Sequence, residues 1–136
     1  MESLKIRYEA TIQCLNTLHY SLEVIKDQRF CEVYEQLRDS IIQRFEYTLD
    51  TFWKFLREYP EVKHGANFTI VSPGEVLRTA LSLGTINKTE FDLFFDMVKD
   101  RNLTSHTYNE NLAELIKIHI INYYEILKIV LERIKF

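Results

Sequence analysis

Residues 33–59 decide the fold, and they read V-Y-E-Q-L-R-D-S-I-I-Q-R-F-E-Y-T-L-D-T-F-W-K-F-L-R-E-Y. Apolar or semi-apolar side chains recur there every three or four residues, which is the spacing of one face of an α-helix. They are Val33, Leu37, Ile41, Phe45, Thr48, Phe52 and Phe55, with Trp53 and Leu56 widening the face. The pattern predicts a long helix that packs in a bundle. Pro60 follows directly and is expected to end this helix, because proline lacks the backbone N–H.

Two further long helices are predicted, one on each side of this stretch. The same three–four spacing runs from Leu4 to Ile25, and the polar residues 26–29 permit a turn before the central helix. It returns from Leu112 to Ile134 near the end of the chain. Each helix has one apolar face, so the three can bury these faces against one another.

Two shorter helices are predicted between the second and third long ones. Ser72 is placed to cap the first, Glu75 to close a capping box, and Gly84 to end it. Asn87 is placed to cap the second helix. Residues 60–71 have no helical period and are expected to form a loop. The sequence therefore predicts an all-α, up-and-down antiparallel bundle of about five helices, forming a single domain over 1–136.

The composition fits a globular protein and sets limits on its partners. Of the 136 residues 46% are hydrophobic and 27% are charged, and only 3 Gly and 2 Pro are available for the turns of an all-β fold. The net charge of −3 argues against a broad basic face. No DNA partner is expected, and any RNA contact has to be local.

The chain is expected to be cytoplasmic. Its two cysteines, Cys14 and Cys31, lie in helical patterns without C-x-x-C spacing, as in a reduced protein. The first residues contain no apolar core of a signal peptide, and no apolar run reaches the ~20 residues of a membrane span. No membrane partner is therefore expected.

The apolar pattern lapses at residues 101–110, which read R-N-L-T-S-H-T-Y-N-E. On one continuous helix, side chains five residues apart point roughly 140° away from each other. Arg101 and His106 can face one cleft only if the helix ends near Leu103 or Thr104. Short polar side chains favour such a break, because they hydrogen-bond to nearby backbone. Either Ser105 or Thr107 is then placed to cap the last helix.

The residue types in this segment suit phosphate chemistry. Arg101 offers a planar cation that matches a phosphate, and His106 supplies an imidazole, the side-chain type that passes protons most readily near neutral pH. Together they can cleave RNA without a metal, and Asn102 can fix the geometry of either. The spacing alone also fits a plainer interpretation, in which Arg101 caps its helix end and His106 lies in an ordinary turn.

The segment K-D-R-N-L-T-S-H-T-Y-N-E at 99–110 resembles the HEPN-domain family. More closely, the chain is similar to the nucleotidyltransferase substrate-binding proteins, or HepT-like toxins. Three more stretches carry this resemblance, namely R-D-S-I-I-Q-R-F-E-Y-T at 38–48, W-K-F-L at 53–56 and S-P-G-E-V-L-R-T-A at 72–80.

The resemblance implies a helical bundle that forms a homodimer, with two R-x4-H motifs facing a shared cleft. It implies a metal-independent endoribonuclease acting on RNA, with Arg101, Asn102 and His106 as the catalytic residues. It also implies a minimal nucleotidyltransferase antitoxin as partner, which transfers AMP onto Tyr108 and so silences the toxin. The alternative is a non-catalytic subunit that binds substrate or nucleotide for a separate nucleotidyltransferase. No cofactor and no metal are expected.

Other polar residues are given structural interpretations. His119 is expected to be a satisfied packing residue. Asp96 and Asp100, four apart on one helix face, can hold Mg²⁺ or be solvated, with solvation favoured, and Asp100 can instead pair with Arg101 or Lys99. Three residues of the central helix are expected to bridge helices or to line the dimer cleft, with the structural role favoured. These residues are Arg38, Arg44 and Glu46.

Overall fold

The computed structural model describes residues 2–67 and 72–134 of the chain. The five α-helices are α1 (Glu2–Val24), α2 (Tyr34–His64), α3 (Pro73–Ser82), α4 (Lys88–Leu103) and α5 (Glu110–Arg133). Short 3₁₀ turns at Gln28–Val33 and Thr104–His106 precede α2 and follow α4. The described residues contain no strand, and the predicted all-α bundle with three long helices among five is confirmed.

The core forms around one face of α2, which packs against α1 and α5. Phe45, Phe52 and Phe55 of α2 are fully buried. Phe45 stacks on Tyr123 of α5 with 5.6 Å between ring centroids, and Phe52 stacks on Phe94 of α4 at 5.2 Å. Burying one such side chain stabilises the fold by about 1.5–3 kcal/mol. The predicted apolar face is therefore the surface that holds α4 and α5 in place.

The end of α2 differs from the prediction. Pro60 does not stop the helix, which continues to His64, and residues 60–64 of the expected loop are helical. Proline removes one hydrogen-bond donor but leaves its own carbonyl, and the Pro60 carbonyl accepts from the N–H groups of Gly65 and Ala66. The helix ends instead at Gly65, whose φ of 67° is the left-handed conformation that glycine adopts without strain. Residues 68–71 of the expected loop lie outside the described residues.

The predicted helix caps are confirmed for α4 and in part for α3, and the cap of α5 differs from the prediction. The Asn87 side chain accepts from the Glu90 N–H while the Glu90 carboxylate accepts from the Asn87 N–H, which makes a full capping box on α4. Ser72 accepts from the Glu75 N–H at the start of α3. The cap of α5 is neither Ser105 nor Thr107 but Asn109, whose side chain accepts from the backbone of the third residue beyond it. Ser105 lies inside the 3₁₀ turn and Thr107 directly follows it, so α5 begins only at Glu110.

No helix in the described part of the chain is long and apolar enough to cross a membrane.

Candidate functional site

The segment from Arg101 to Asn109 connects α4 to α5. The predicted break near Leu103 or Thr104 is confirmed, since α4 ends at Leu103 and a 3₁₀ turn follows. The Thr104 hydroxyl donates to the Arg101 carbonyl at 2.7 Å. Further on, the Asn109 N–H donates to the His106 carbonyl at 3.1 Å. Short-range hydrogen bonds therefore replace the helical ones and turn the chain between the two helices.

Arg101 points from α4 to α2. Its Nη1 lies 2.9 Å from Glu46 Oε2, and its Nε and Nη2 lie 3.3 and 3.1 Å from the two carboxylate oxygens of Asp50. Nη1 also donates to the Thr104 hydroxyl at 3.2 Å. These contacts, the hydrogen bond to Asp50 above all, raise the pKa of Arg101 above its usual value. The guanidinium is therefore held in one orientation and stays charged.

The contacts of Arg101 leave little donor capacity unused. A guanidinium has five N–H groups, and four hydrogen bonds within the described chain come from Arg101. Among the described residues, nothing accepts from the second N–H of Nη2, which leaves it for an outside ligand. Glu46 was expected to bridge helices, and its ion pair with Arg101 confirms this. Asp50 was missed, although it lies one helical turn beyond Glu46 and on the same face.

His106 and Tyr108 are both exposed, and 82% of Tyr108 is open to solvent. Their ring centroids are 6.1 Å apart at an interplanar angle of 77°, an edge-to-face arrangement. The two rings are therefore neighbours on the surface of the turn. Within residues 2–67 and 72–134, no hydrogen bond, ion pair or ring contact joins His106 to Arg101.

Asn102 is also exposed, and it shares a shallow cavity with Arg101. This cavity has a volume of about 170 Å³ and lies between α2, the start of α3 and the end of α4. It is lined by Leu49, Asp50, Trp53, Pro73, Val98, Arg101 and Asn102. The structure thus brings two of the predicted residues to one cavity, while His106 and Tyr108 lie on the turn that follows.

Asp100 anchors the last turn of α4 to α5. The expectation that it is solvated, or paired with Arg101 or Lys99, was wrong, because the residue is only 8% exposed. Its Oδ2 accepts from the Tyr123 hydroxyl at 2.6 Å and contacts His119 Nδ1 at 2.8 Å. Burial and the hydrogen bond to Asp100 raise the pKa of Tyr123, so its hydroxyl remains a donor. His119 is thereby satisfied, as expected.

Arg38 and Arg44 bridge helices, as predicted for both. Arg38 contacts Glu110 of α5 at 2.6 Å, and Arg44 donates to the Thr17 carbonyl of α1 at 2.9 Å. Together with Glu46, they tie α2 to three neighbouring helices. The described residues contain no group of three or more His, Cys, Asp or Glu side chains that could hold a metal ion.

The buried carboxylate of Asp100 allows a direct test of how α4 is held. In the Tyr123→Phe variant this carboxylate loses its shortest donor, and we expect the free energy of unfolding to fall by about 1–3 kcal/mol. Urea denaturation measures the change. Tyr124→Phe is the matched control, since the neighbouring ring is also buried, and it should change stability by less than about 0.5 kcal/mol. Equal losses in the two variants would contradict the assigned role of Asp100.

Comparison with known proteins places this architecture in a family. The family model described as nucleotidyltransferase substrate binding protein like matches residues 6–135. The crystal structure of ttk003001694 from Thermus thermophilus is similar, with 38% sequence identity and a TM-score of 0.77. The match covers 90% of this chain and 97% of that one. Curated protein sequences give no match.

A second solved structure is HI0074 from Haemophilus influenzae, said to reveal the fold of a substrate binding domain of a nucleotidyltransferase. It is 21% identical, with a TM-score of 0.81, and the match covers 93% of this chain and 97% of that one. This likeness confirms the helical fold. Because the family model spans almost the whole sequence, the chain belongs to the nucleotidyltransferase substrate-binding-like family, the HEPN-like group that its sequence resembles.

Proposed function

We propose that the protein is the toxin of a toxin–antitoxin pair and acts as a metal-independent endoribonuclease. The observation that carries this proposal is the arrangement of the turn after α4. Arg101 is fixed and charged at its start, while His106 lies exposed five residues later. Such a pair supplies one group that moves protons and one that stabilises negative charge.

The reaction assigned to this pair is attack by a ribose 2′-hydroxyl on the adjacent phosphorus. Neutral His106 accepts the proton of the 2′-hydroxyl as the new O–P bond forms. Arg101 stabilises the charge that develops on the phosphoryl oxygens, and Asn102 holds the phosphate at the shared cavity. The 5′-oxygen then leaves with a proton returned by the imidazolium. One O–P bond forms and one breaks, and the proton taken from the 2′-hydroxyl is returned to the 5′-oxygen, so the step needs no metal or cofactor.

The two carboxylates on Arg101 limit how RNA can approach. Arg101, Glu46 and Asp50 together carry a formal charge of −1, which repels a phosphate until one carboxylate moves. Asp50 is the more exposed partner, with 53% of its side chain open to solvent against 31% for Glu46. We therefore assign the phosphate to the unused Nη2 N–H and to the position that Asp50 occupies.

Tyr108 is the proposed site of silencing. Its hydroxyl is open to a partner enzyme, and its ring lies against His106. Transfer of AMP from ATP onto this hydroxyl, with release of pyrophosphate, adds a bulky anion next to His106, so charge repulsion keeps the RNA phosphate away and blocks cleavage. The proposed partner is a minimal nucleotidyltransferase antitoxin, and the family description is consistent with a partner of that class.

A homodimer is the proposed assembly. Leu115, Ile118 and Ile129 are 49–54% exposed and lie within about 60° of one another around α5. We call these three residues the α5 stripe. Exposed apolar side chains that share one side of a helix are candidates for an interaction surface. The stripe begins just beyond the 101–109 turn, so a second copy related by a two-fold axis near Leu115 would bring two turns together.

The second candidate function is a non-catalytic subunit that binds substrate or nucleotide for a separate nucleotidyltransferase. The family description and the words used for HI0074 favour it. In that case Arg101 and His106 would only bind a phosphate. The two functions differ in whether RNA is cut.

The test is cleavage of a mixed RNA substrate in the presence of EDTA. The wild type should cut, and Arg101→Ala and His106→Ala should each lose about 100-fold or more in rate, because each removes a transition-state contact. Matched controls are Arg29→Ala and His64→Ala, which remove exposed side chains of the same kinds outside the turn. Both controls should keep the wild-type rate.

The same assay tests Tyr108. Tyr108→Phe should cut as the wild type does, and Tyr108→Glu should cut more slowly, since it places a negative charge beside His106. Intact mass, measured first, shows whether the wild-type chain already carries AMP. If unmodified wild type binds a nucleotide but cuts no RNA, the nuclease proposal fails and the substrate-binding subunit replaces it.

The dimer has its own test in solution. Light scattering should give twice the chain mass of 16.3 kDa for the wild type, and Ile118→Lys should reduce it to one chain. A lysine in the α5 stripe would have to bury its charge in the dimer, which is costly. Ile6→Lys is the control, because Ile6 is 61% exposed on α1, away from the stripe. A wild type of single-chain mass would rule out the dimer.

A further inference from the structure

Both ends of the 101–110 segment are held by the same helix, α2. At the first end, Glu46 and Asp50 bind Arg101. At the second end, Arg38 binds Glu110, the first residue of α5, at 2.6 Å. Residues 38 and 46 are eight positions apart, which is about 12 Å along the helix axis. The segment that carries His106 therefore spans two charged anchor points on one rigid element.

Arg38 is an unusual residue for a structural ion pair, because its side chain is only 3% exposed. Its Nη1 contacts Glu110 and also Glu114 at 3.4 Å, so it reaches the first two turns of α5. Its Nε and Nη2 lie 3.3 and 3.2 Å from Asp39 on its own helix. The hydrogen bond to Glu110 is the main cause of its raised pKa. A buried cation with partners on two helices fixes their relative position.

The hydrogen bonds within the turn are short in range. The Thr107 hydroxyl donates to the Thr104 carbonyl, and the Asn109 N–H donates to the His106 carbonyl. These bonds shape the turn but do not attach it to the rest of the bundle. The distance between His106 and Arg101 then depends on where α5 begins relative to α2.

We infer that Arg38 is a positioning residue, which sets the place of His106 relative to Arg101 by holding Glu110. Arg38 does not touch the proposed site itself. The effect on cleavage rests on the proposed function, whereas the effect on the geometry of the turn does not. The two effects are measured separately below.

The chain offers a matched pair of variants for this test. Glu110 and Asp39 are both partners of Arg38, and their side chains are equally exposed, at 59% and 61%. Glu110→Ala removes the shortest contact of Arg38 with α5 and leaves only the longer one to Glu114, while Asp39→Ala removes a partner within α2. Glu110→Gln removes the charge but keeps an oxygen that can accept from Arg38. The Glu110→Gln variant therefore distinguishes loss of the Arg38 contact from loss of a favourable negative charge at the N-terminus of α5.

Steady-state RNA cleavage gives the first readout. Glu110→Ala should lower kcat by about tenfold, since small displacements of a proton-transfer group are costly. KM should stay within about twofold of the wild-type value, because Arg101 keeps its own anchors on α2. Asp39→Ala should leave both constants unchanged, and Glu110→Gln should recover most of kcat. Equal effects of Glu110→Ala and Asp39→Ala, or no recovery in Glu110→Gln, would overturn the inference.

Hydrogen exchange gives the second readout and needs no activity. The amide of Asn109, which is bonded to the His106 carbonyl, should exchange about tenfold faster in Glu110→Ala than in the wild type. In Asp39→Ala its rate should not change. If the wild type cuts no RNA, the proposed function fails, and this comparison still decides whether Arg38 holds the turn. Unchanged exchange in Glu110→Ala would overturn that role.

Discussion

The burial of one face of α2 is the constraint on which the rest of the structure depends. Phe45, Phe52 and Phe55 are fully buried along it, and rings of α4 and α5 stack on the first two. This apolar contact fixes the distances between α2, α4 and α5 before any polar group is considered. Charged side chains on another side of α2 then contact the two ends of the segment that joins α4 to α5.

Two carboxylates on that side of α2 determine the orientation and the net charge of the proposed site. Glu46 and Asp50 orient Arg101, keep it protonated and together outweigh its charge. This arrangement holds the Arg101 guanidinium in place, and an anionic ligand can bind it only by competing with the two carboxylates. The exposed His106 and Tyr108 lie outside these contacts, where the proposed RNA substrate and the proposed modifying enzyme could reach them. The side chain of Arg101 at the start of the turn is thus held by α2, whereas the side chains of His106 and Tyr108 are open to solvent.

Much of this fold could be predicted from the sequence, because hydrophobic spacing directly reports which helix face is buried. The helix break after Leu103 and the Asn87 cap were predicted from short-range chemistry. The end of α2 was not, because a proline near a C-terminus costs one hydrogen bond that packing and Gly65 can offset. The partners of Asp100 and the carboxylate partners of Arg101 lie 19 to 55 residues away, and spacing along one helix does not indicate such pairs.

The chemistry of the RNA ends tests the central proposal most directly. A neutral histidine that activates the 2′-hydroxyl must leave a 2′,3′-cyclic phosphate on one fragment and a 5′-hydroxyl on the other. Mass spectrometry of a short defined RNA, digested with EDTA present, identifies both ends. Fragments of this kind from the wild type, and none from His106→Ala, would support the roles given to Arg101 and His106. Fragments with 3′-hydroxyl and 5′-phosphate ends, or intact RNA, would contradict them.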